Sequence, residues 1–176
     1  MILTLDEYRT LNPADKQTDS ALEFKLRALE SAIRAWTNNN FQKRSFRFSC
    51  PIFSGKLYFT TNLLSVGDTV QISDSAFNDG VYNVTSKSTN EITLNETLED
   101  EDYALVTKVV YPPDVKSGVV NLMKWDNEMR DKIGISSETI SRHSVSYGDM
   151  TGDTNSALNY PKSLLGFLTP YCKARF

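Results

Sequence analysis

Apolar residues recur along this chain with two different periods, and the change of period divides it into three stretches. Leu22, Leu26, Leu29, Ile33 and Trp36 fall at spacings of four and three, which places them on one face of a helix from about Asp19 to Asn38. Glu23–Arg27 and Glu30–Arg34 lie four apart in the acid-first order and fit its solvated face. Ahead of it, Thr4-Leu-Asp-Glu7 is a capping box that opens a short helix ending near Asn12-Pro13. From Arg44 to Pro112 the helical spacing vanishes. β-Branched and aromatic residues there alternate with polar ones, which predicts strands over 44–49, 56–60, 69–73, 81–86, 91–94 and 104–110. Val66-Gly-Asp68, Asn78-Asp-Gly80 and Thr89-Asn90 supply turns between them. Short strands at such spacing predict a small antiparallel barrel or sandwich.

Helical spacing returns after Pro112-Pro113-Asp114, with proline suited to a first turn. Val115, Val119, Leu122, Trp125, Met129 and Ile133 form the stripe, and Gly134 is a stop. Residues 135–159 are polar and aperiodic, which predicts a long loop that orders on binding. Pro161 is expected to start a last short helix and Pro170 to end it. Neither long helix can bury its stripe alone. The expectation is that Leu26, Leu29, Ile33 and Trp36 pack against Val119, Leu122, Trp125 and Met129, so that both tryptophans are core. The predicted fold class is therefore α+β: a helical bundle built from 1–43 and 113–176, with a small antiparallel β-barrel or sandwich inserted at 44–112.

Composition narrows the function. The chain has 176 residues, 40% hydrophobic, with a net charge of -3. That is globular, and an acidic balance argues against a dedicated nucleic-acid binder. Nothing at the start reads as a signal peptide, and no apolar run approaches the roughly 20 residues of a membrane span. Cys50 and Cys172 form no motif; they could pair, but without a secretory start free thiols in a reducing cytoplasm are favoured. His143 is the only histidine. Its serine neighbours do not make a triad, because neighbours in sequence do not supply triad geometry. Asp149-Met-Thr-Gly-Asp-Thr-Asn155 lacks the glycine and glutamate positions of a calcium loop, and there is no phosphate-binding glycine motif or metal-spaced Cys/His set. The acid run Glu99-Asp-Glu-Asp102 reads as a solvated turn, and Lys43-Arg44 with Arg47 as a charged strand face. No catalytic residue, cofactor or metal is expected. The C-terminus is different in kind. Leu164, Leu165, Phe167 and Leu168 form an apolar patch, followed by Tyr171, Lys173, Arg175 and Phe176, and aromatic and arginine residues are the types enriched at interface hot spots.

Three pieces of the chain resemble a known family. They are Leu5-Asp-Glu-Tyr8 with Ala28-Leu-Glu-Ser-Ala-Ile33 leading to Trp36; Val66-Gly-Asp-Thr-Val-Gln-Ile72 with Gly80-Val-Tyr-Asn-Val84; and Ile135-Ser-Ser-Glu-Thr-Ile-Ser-Arg-His-Ser-Val-Ser-Tyr147 with Tyr160-Pro-Lys-Ser-Leu-Leu165 and the Pro170-Tyr-Cys-Lys-Ala-Arg-Phe176 ending. Together they resemble the head–tail connectors of long-tailed phages, the adaptors beneath the portal ring. Some members of that family have a short loop in place of the β-rich insertion. The resemblance implies a non-enzymatic virion structural protein, assembled in the cytoplasm of the bacterial host as a ring of twelve copies on the portal protein. Such a ring extends the DNA channel, lets genomic DNA pass without specific binding, and presents a docking surface for the next head-completion or tail protein. On that reading the terminal residues 164–176 contact the portal or a neighbouring copy, and Arg142, His143 and Tyr147 belong to an assembly loop. The alternative is a peptide- or nucleic-acid-binding module using the small barrel, which would need aromatics clustered on one exposed barrel face.

Overall fold

The computed structural model describes residues 1–129, 137–140, 143–146, 156–158 and 160–174. The chain divides into two compact units, one of Asn40–Tyr111 with Met1 and one of Ile2–Asn39 with Pro112–Phe176.

The first unit is a closed barrel of six strands: β1 (Gln42–Phe53), β2 (Lys56–Tyr58), β3 (Thr69–Ser73), β4 (Gly80–Lys87), β5 (Glu91–Leu94) and β6 (Glu101–Val109). Their order around the barrel is β1-β2-β5-β4-β3-β6, and every pairing is antiparallel. The period of two gives each strand one inner face. Cys50, Ile52, Leu57, Val70, Ile72, Val84, Ile92, Leu94, Ala104 and Val106 fill the interior. Leu64 and Leu98, from loops at opposite ends, complete this core. Each such aliphatic side chain stabilises the fold by about 1.5–3 kcal/mol when fully buried. Closure also removes the exposed sheet edges that invite aggregation. The Lys87 ammonium donates to the Leu64 carbonyl at 2.8 Å and that of Lys108 to the Leu63 carbonyl at 3.2 Å, so two lysines tie down the loop that closes one end.

The second unit holds the helices and the C-terminal segment. Helix α1 (Leu5–Leu11) has the expected capping box: the Glu7 N–H donates to Thr4 Oγ1 at 3.2 Å and the Thr4 N–H to Glu7 Oε2 at 3.0 Å. Helix α2 (Asp19–Thr37) buries Leu22, Leu26, Leu29 and Ile33 and ends at Asn38 in the left-handed conformation, φ 49°. Helix α3 (Pro113–Met129) buries Val115, Val119, Val120, Leu122 and Met123. A polar network joins the 12–19 link to the helices. The Tyr8 hydroxyl donates to Asp15 at 2.5 Å, Asn127 Nδ2 donates to the same carboxylate at 2.6 Å, and Asn12 Nδ2 donates to the Tyr8 oxygen at 2.9 Å. Arg9 donates to the Asp15 and Gln17 carbonyls and pairs with Asp19 at 2.7 Å.

Several expectations are corrected here. The fold is a closed six-stranded barrel accompanied by helices, with a single α-helix after the barrel among the described residues, and not a helical bundle with an inserted barrel. Close backbone contacts join both α2 and α3 to the terminal 3₁₀ segment Gly166–Tyr171. An apolar stripe fixes which face of a helix is buried but not every element that covers it, so the part this segment plays is not legible in the stripes. The helix expected over 161–170 is two 3₁₀ segments, Lys162–Leu164 and Gly166–Tyr171, with Pro170 inside the second. Pro170 inside the second segment has no N–H to continue a four-residue ladder, and short 3₁₀ pieces are common in such connections. Trp36 is exposed, at 36%, and Glu30, assigned to the solvated face, is buried. The stretch 135–159, expected as a loop, contains a ladder of β7 (Ser137–Ile140) with β8 (His143–Ser146), and β9 (Ser156–Ala157), which pairs with β10 (Tyr160–Pro161). Both cysteines are free; burial pushes the Cys50 thiol up to about 11, while Cys172 is exposed. Among the described residues no helix is long and apolar enough to cross a membrane.

Candidate interaction surfaces

The C-terminal segment is tied into its own unit through residue 174. Leu165 and Leu168 are buried. Phe167 lies on α3 over Gly118, where an added Cβ would meet its ring at 2.4 Å. The glycine is therefore the socket for the phenylalanine. The Tyr171 hydroxyl donates to both Asp114 oxygens, at 2.9 and 2.8 Å, and this hydrogen bond raises its pKa. The Lys173 N–H donates to the Thr37 carbonyl at 2.8 Å, and Asn38 and Asn39 donate to the carbonyls of Ala174 and Tyr171. Of the residues expected to contact a partner, Leu165 and Leu168 are thus interior, Leu164, Phe167 and Tyr171 are half-buried, and Lys173 is exposed. Arg175, Phe176, Arg142 and Tyr147 lie outside the described residues, as does the side chain of His143 on β8.

The wall of the barrel carries an aromatic face that the sequence reading did not single out. Phe53, Tyr58 and Tyr103 are 64%, 48% and 52% exposed. Each is next to an inward core residue, Ile52, Leu57 or Ala104, so each points outward by the period of two. They stand on the adjacent strands β1, β2 and β6: Phe53 pairs with Lys56, two residues before Tyr58, and Ala104 pairs with Cys50. Three aromatics therefore share one face beside the Lys56–Glu91 ion pair of 2.9 Å. Only the register brings them together, because 50 residues of chain separate Phe53 from Tyr103.

The two ends of the barrel differ in charge. One end is formed by the starts of β1, β3 and β5 and the finishes of β2, β4 and β6. It carries Lys43, Arg44, Lys87 and Lys108, with Arg47 just along the wall. Lys43 lies 4.5 Å over the Phe46 ring, Arg47 donates to Thr107 Oγ1 at 3.2 Å, and Lys108 pairs with Asp68 at 2.6 Å. At the opposite end the 74–79 loop brings Asp74 and Asp79, and the 95–102 stretch brings Glu96, Glu99, Asp100, Glu101 and Asp102. Part of this acid is structural. The Asp100 carboxylate accepts the Gly55 N–H at 3.0 Å, and Glu101 accepts from the Ala76 N–H at 2.9 Å and from Ser75 and Asn78. Burial pushes the Glu101 pKa up, but these hydrogen bonds outweigh it and the net shift is downward.

An open groove of about 420 Å³ on the helical unit is lined by Leu3, Asp6, Glu7, Thr10, Leu11 and Lys116, with Glu7 and Lys116 paired at 2.8 Å. Among the described residues no cluster of three or more His, Cys, Asp or Glu is arranged to hold a metal ion. Comparison with known protein families and with characterised proteins finds no match to this chain.

Proposed function

We propose that this chain is a non-enzymatic virion connector, one that assembles as a ring on a portal, extends the DNA channel and offers a docking surface to the next head-completion or tail protein. The structural observation that supports this reading is the aromatic face of Phe53, Tyr58 and Tyr103 on one barrel wall, a surface that suits a protein partner as well as it suits the ligands of the alternative reading. Aromatic side chains presented together outside a closed, fully packed barrel add nothing to that barrel's core, and they are of the type that anchors protein interfaces. The resemblance of the N-terminal, barrel and C-terminal sequence segments to head–tail connectors points the same way. An acidic subunit also suits a channel that must let DNA slide, since basic contacts hold phosphate tightly.

The same face favours a second reading, a barrel that holds a peptide or single-stranded nucleic acid on its aromatics. Native mass measurement and negative-stain imaging of the chain, alone and with the portal of the same phage, separate the two. Rings and portal-bound assemblies are expected, with portal binding lost on Phe53→Ser with Tyr103→Ser at unchanged melting temperature. A monomer that ignores the portal and binds an oligonucleotide or peptide through this face would overturn the connector reading.

A further inference from the structure

We propose that the barrel docks end to end with a second copy of this chain, the acidic end of one barrel seating on the basic end of the next. This rests on the ring reading above and assigns the surface that joins the copies. Both halves of the contact are on the same chain. At the acidic end Glu99 and Asp102 are exposed, and Phe77 projects from the 74–79 loop at 75% exposure. At the basic end Lys43 and Arg44 are exposed, and the loop that closes the barrel there presents Leu63 and Val66, 53% and 63% exposed. Each end thus combines a raised apolar anchor with exposed charges mainly of one sign, and the signs are opposite; the exceptions, Asp68 and Glu91 at the basic end and Lys56 at the acidic end, are held in the Lys108–Asp68 and Lys56–Glu91 pairs.

Two acidic ends repel one another, as do two basic ends, so a symmetric pairing of like surfaces is disfavoured. A head-to-tail contact is favoured instead, because it alone sets opposite fields face to face. Contacts of this kind between different patches generate rings when the rotation closes and filaments when it does not. The occupant is a second copy rather than a nucleic acid because the acidic end has no use on a phosphate-binding barrel, whereas in a head-to-tail contact it is the complement of the basic end.

Charge reversal in the full chain tests this. One variant carries Lys43→Glu with Arg44→Glu, the other Glu99→Lys with Asp102→Lys; all four side chains are exposed. Native mass measurement is expected to show self-association of the parent, weakened about tenfold or more in either variant alone. An equal mixture restores association, since the new carboxylates at 43 and 44 of one chain meet the new lysines at 99 and 102 of the other. If either variant loses its fold, the parent alone serves: its association must weaken as salt rises, because rim charges are screened. Variants that associate like the parent, a mixture that stays apart, association indifferent to salt, or a parent monomeric at every concentration would each overturn the proposal. So would an oligonucleotide bound at the basic end without any pairing of chains. The connector reading fails separately: a parent that pairs through its barrels but ignores the portal sinks that reading and leaves this contact standing.

Discussion

At the scale of single residues, the carboxylate of Asp15 is held by three donors, the Tyr8 hydroxyl, the Gln17 N–H and the Asn127 amide. Burial pushes its pKa up, but the Tyr8 hydroxyl, the Gln17 N–H, the Asn127 amide and the Arg9 charge outweigh burial, and the net shift is downward. Burial, together with the same contact, pushes Tyr8 up to about 12. The signs follow directly. The lowered Asp15 contributes stability above its ordinary value of 3.8 and loses it as pH falls through the folded value. The raised Tyr8 contributes stability below its ordinary 10.0 and loses it as pH rises toward about 12. Tyr8→Phe leaves a buried carboxylate one donor short and is expected to cost about 1–3 kcal/mol at neutral pH. In denaturant titrations the gap between parent and variant should shrink toward both extremes; a gap that does not change with pH would show the hydroxyl to be idle. Gly118→Ala is a second case. The new methyl must displace the Phe167 ring, so a loss of about 1–3 kcal/mol is expected, as for other overpacked sites. A stability equal to the parent's would mean that Phe167 does not sit in that socket. Neither site was legible from spacing. Tyr8 and Asp15 are polar-looking residues separated by a link, and nothing in sequence says that Gly118 faces Phe167.

At the scale of elements, the sequence was most informative where one period ran unbroken. The capping box of α1, the stripe of α2 as far as Ile33 and the cores of β3 and β5 lie where alternation and caps put them, because these signals are local. Signals failed where the deciding partner was distant. The segment 161–171 has apolar residues at helical spacing, yet its shape is set by docking on α2 and α3. The hairpin of β1 and β2 was missed as a turn although Ser54-Gly55 marks it: both residues have positive φ, 51° and 72°, as the two-residue turn that matches strand twist requires. Gly55 is doubly fixed, since an added Cβ would also meet Thr97 Cγ2 at 3.0 Å. Gly55→Val is therefore expected to destabilise the barrel by about 1–2 kcal/mol, the cost of a left-handed conformation for a residue with a Cβ. Because the turn also fixes the β1–β2 register, amide exchange should rise first at Ile52 and Leu57. Unchanged protection there would show that the barrel, not the turn, sets the register.

At the scale of the whole molecule, charge and aromatics acquire meaning only through topology. The acid run of 99–102 and the basic cluster of 43–47 read as ordinary solvated stretches along the chain, and the aromatics of β1, β2 and β6 as scattered residues. Closing six strands in the order β1-β2-β5-β4-β3-β6 gathers the acids at one end, the bases at the other and the aromatics on one wall. Sequence reading located the β-rich segment but not this sorting, which depends on pairings between residues up to 67 positions apart, as between Gln42 and Val109. The barrel core is complete within Asn40–Tyr111. The Met1 amine, donating to Thr69 Oγ1 at 3.0 Å and to Asn83 Oδ1 at 2.7 Å, belongs to this unit although it lies far from it in sequence. Residues 40–111 expressed alone should therefore fold. A single closed core with no free strand edge gives a cooperative transition, although so small a domain buries only about 60% of its unfolded surface and should be correspondingly marginal. Thermal unfolding followed by circular dichroism should be sigmoidal, with dispersed amide resonances. Exchange at Thr69 and Asn83 should be faster than in the full chain, because the amine that bonds their side chains is gone. A featureless melt with collapsed amide dispersion would mean that the barrel depends on the helices for its fold, and the division of the chain into two units would then describe its shape but not its energetics.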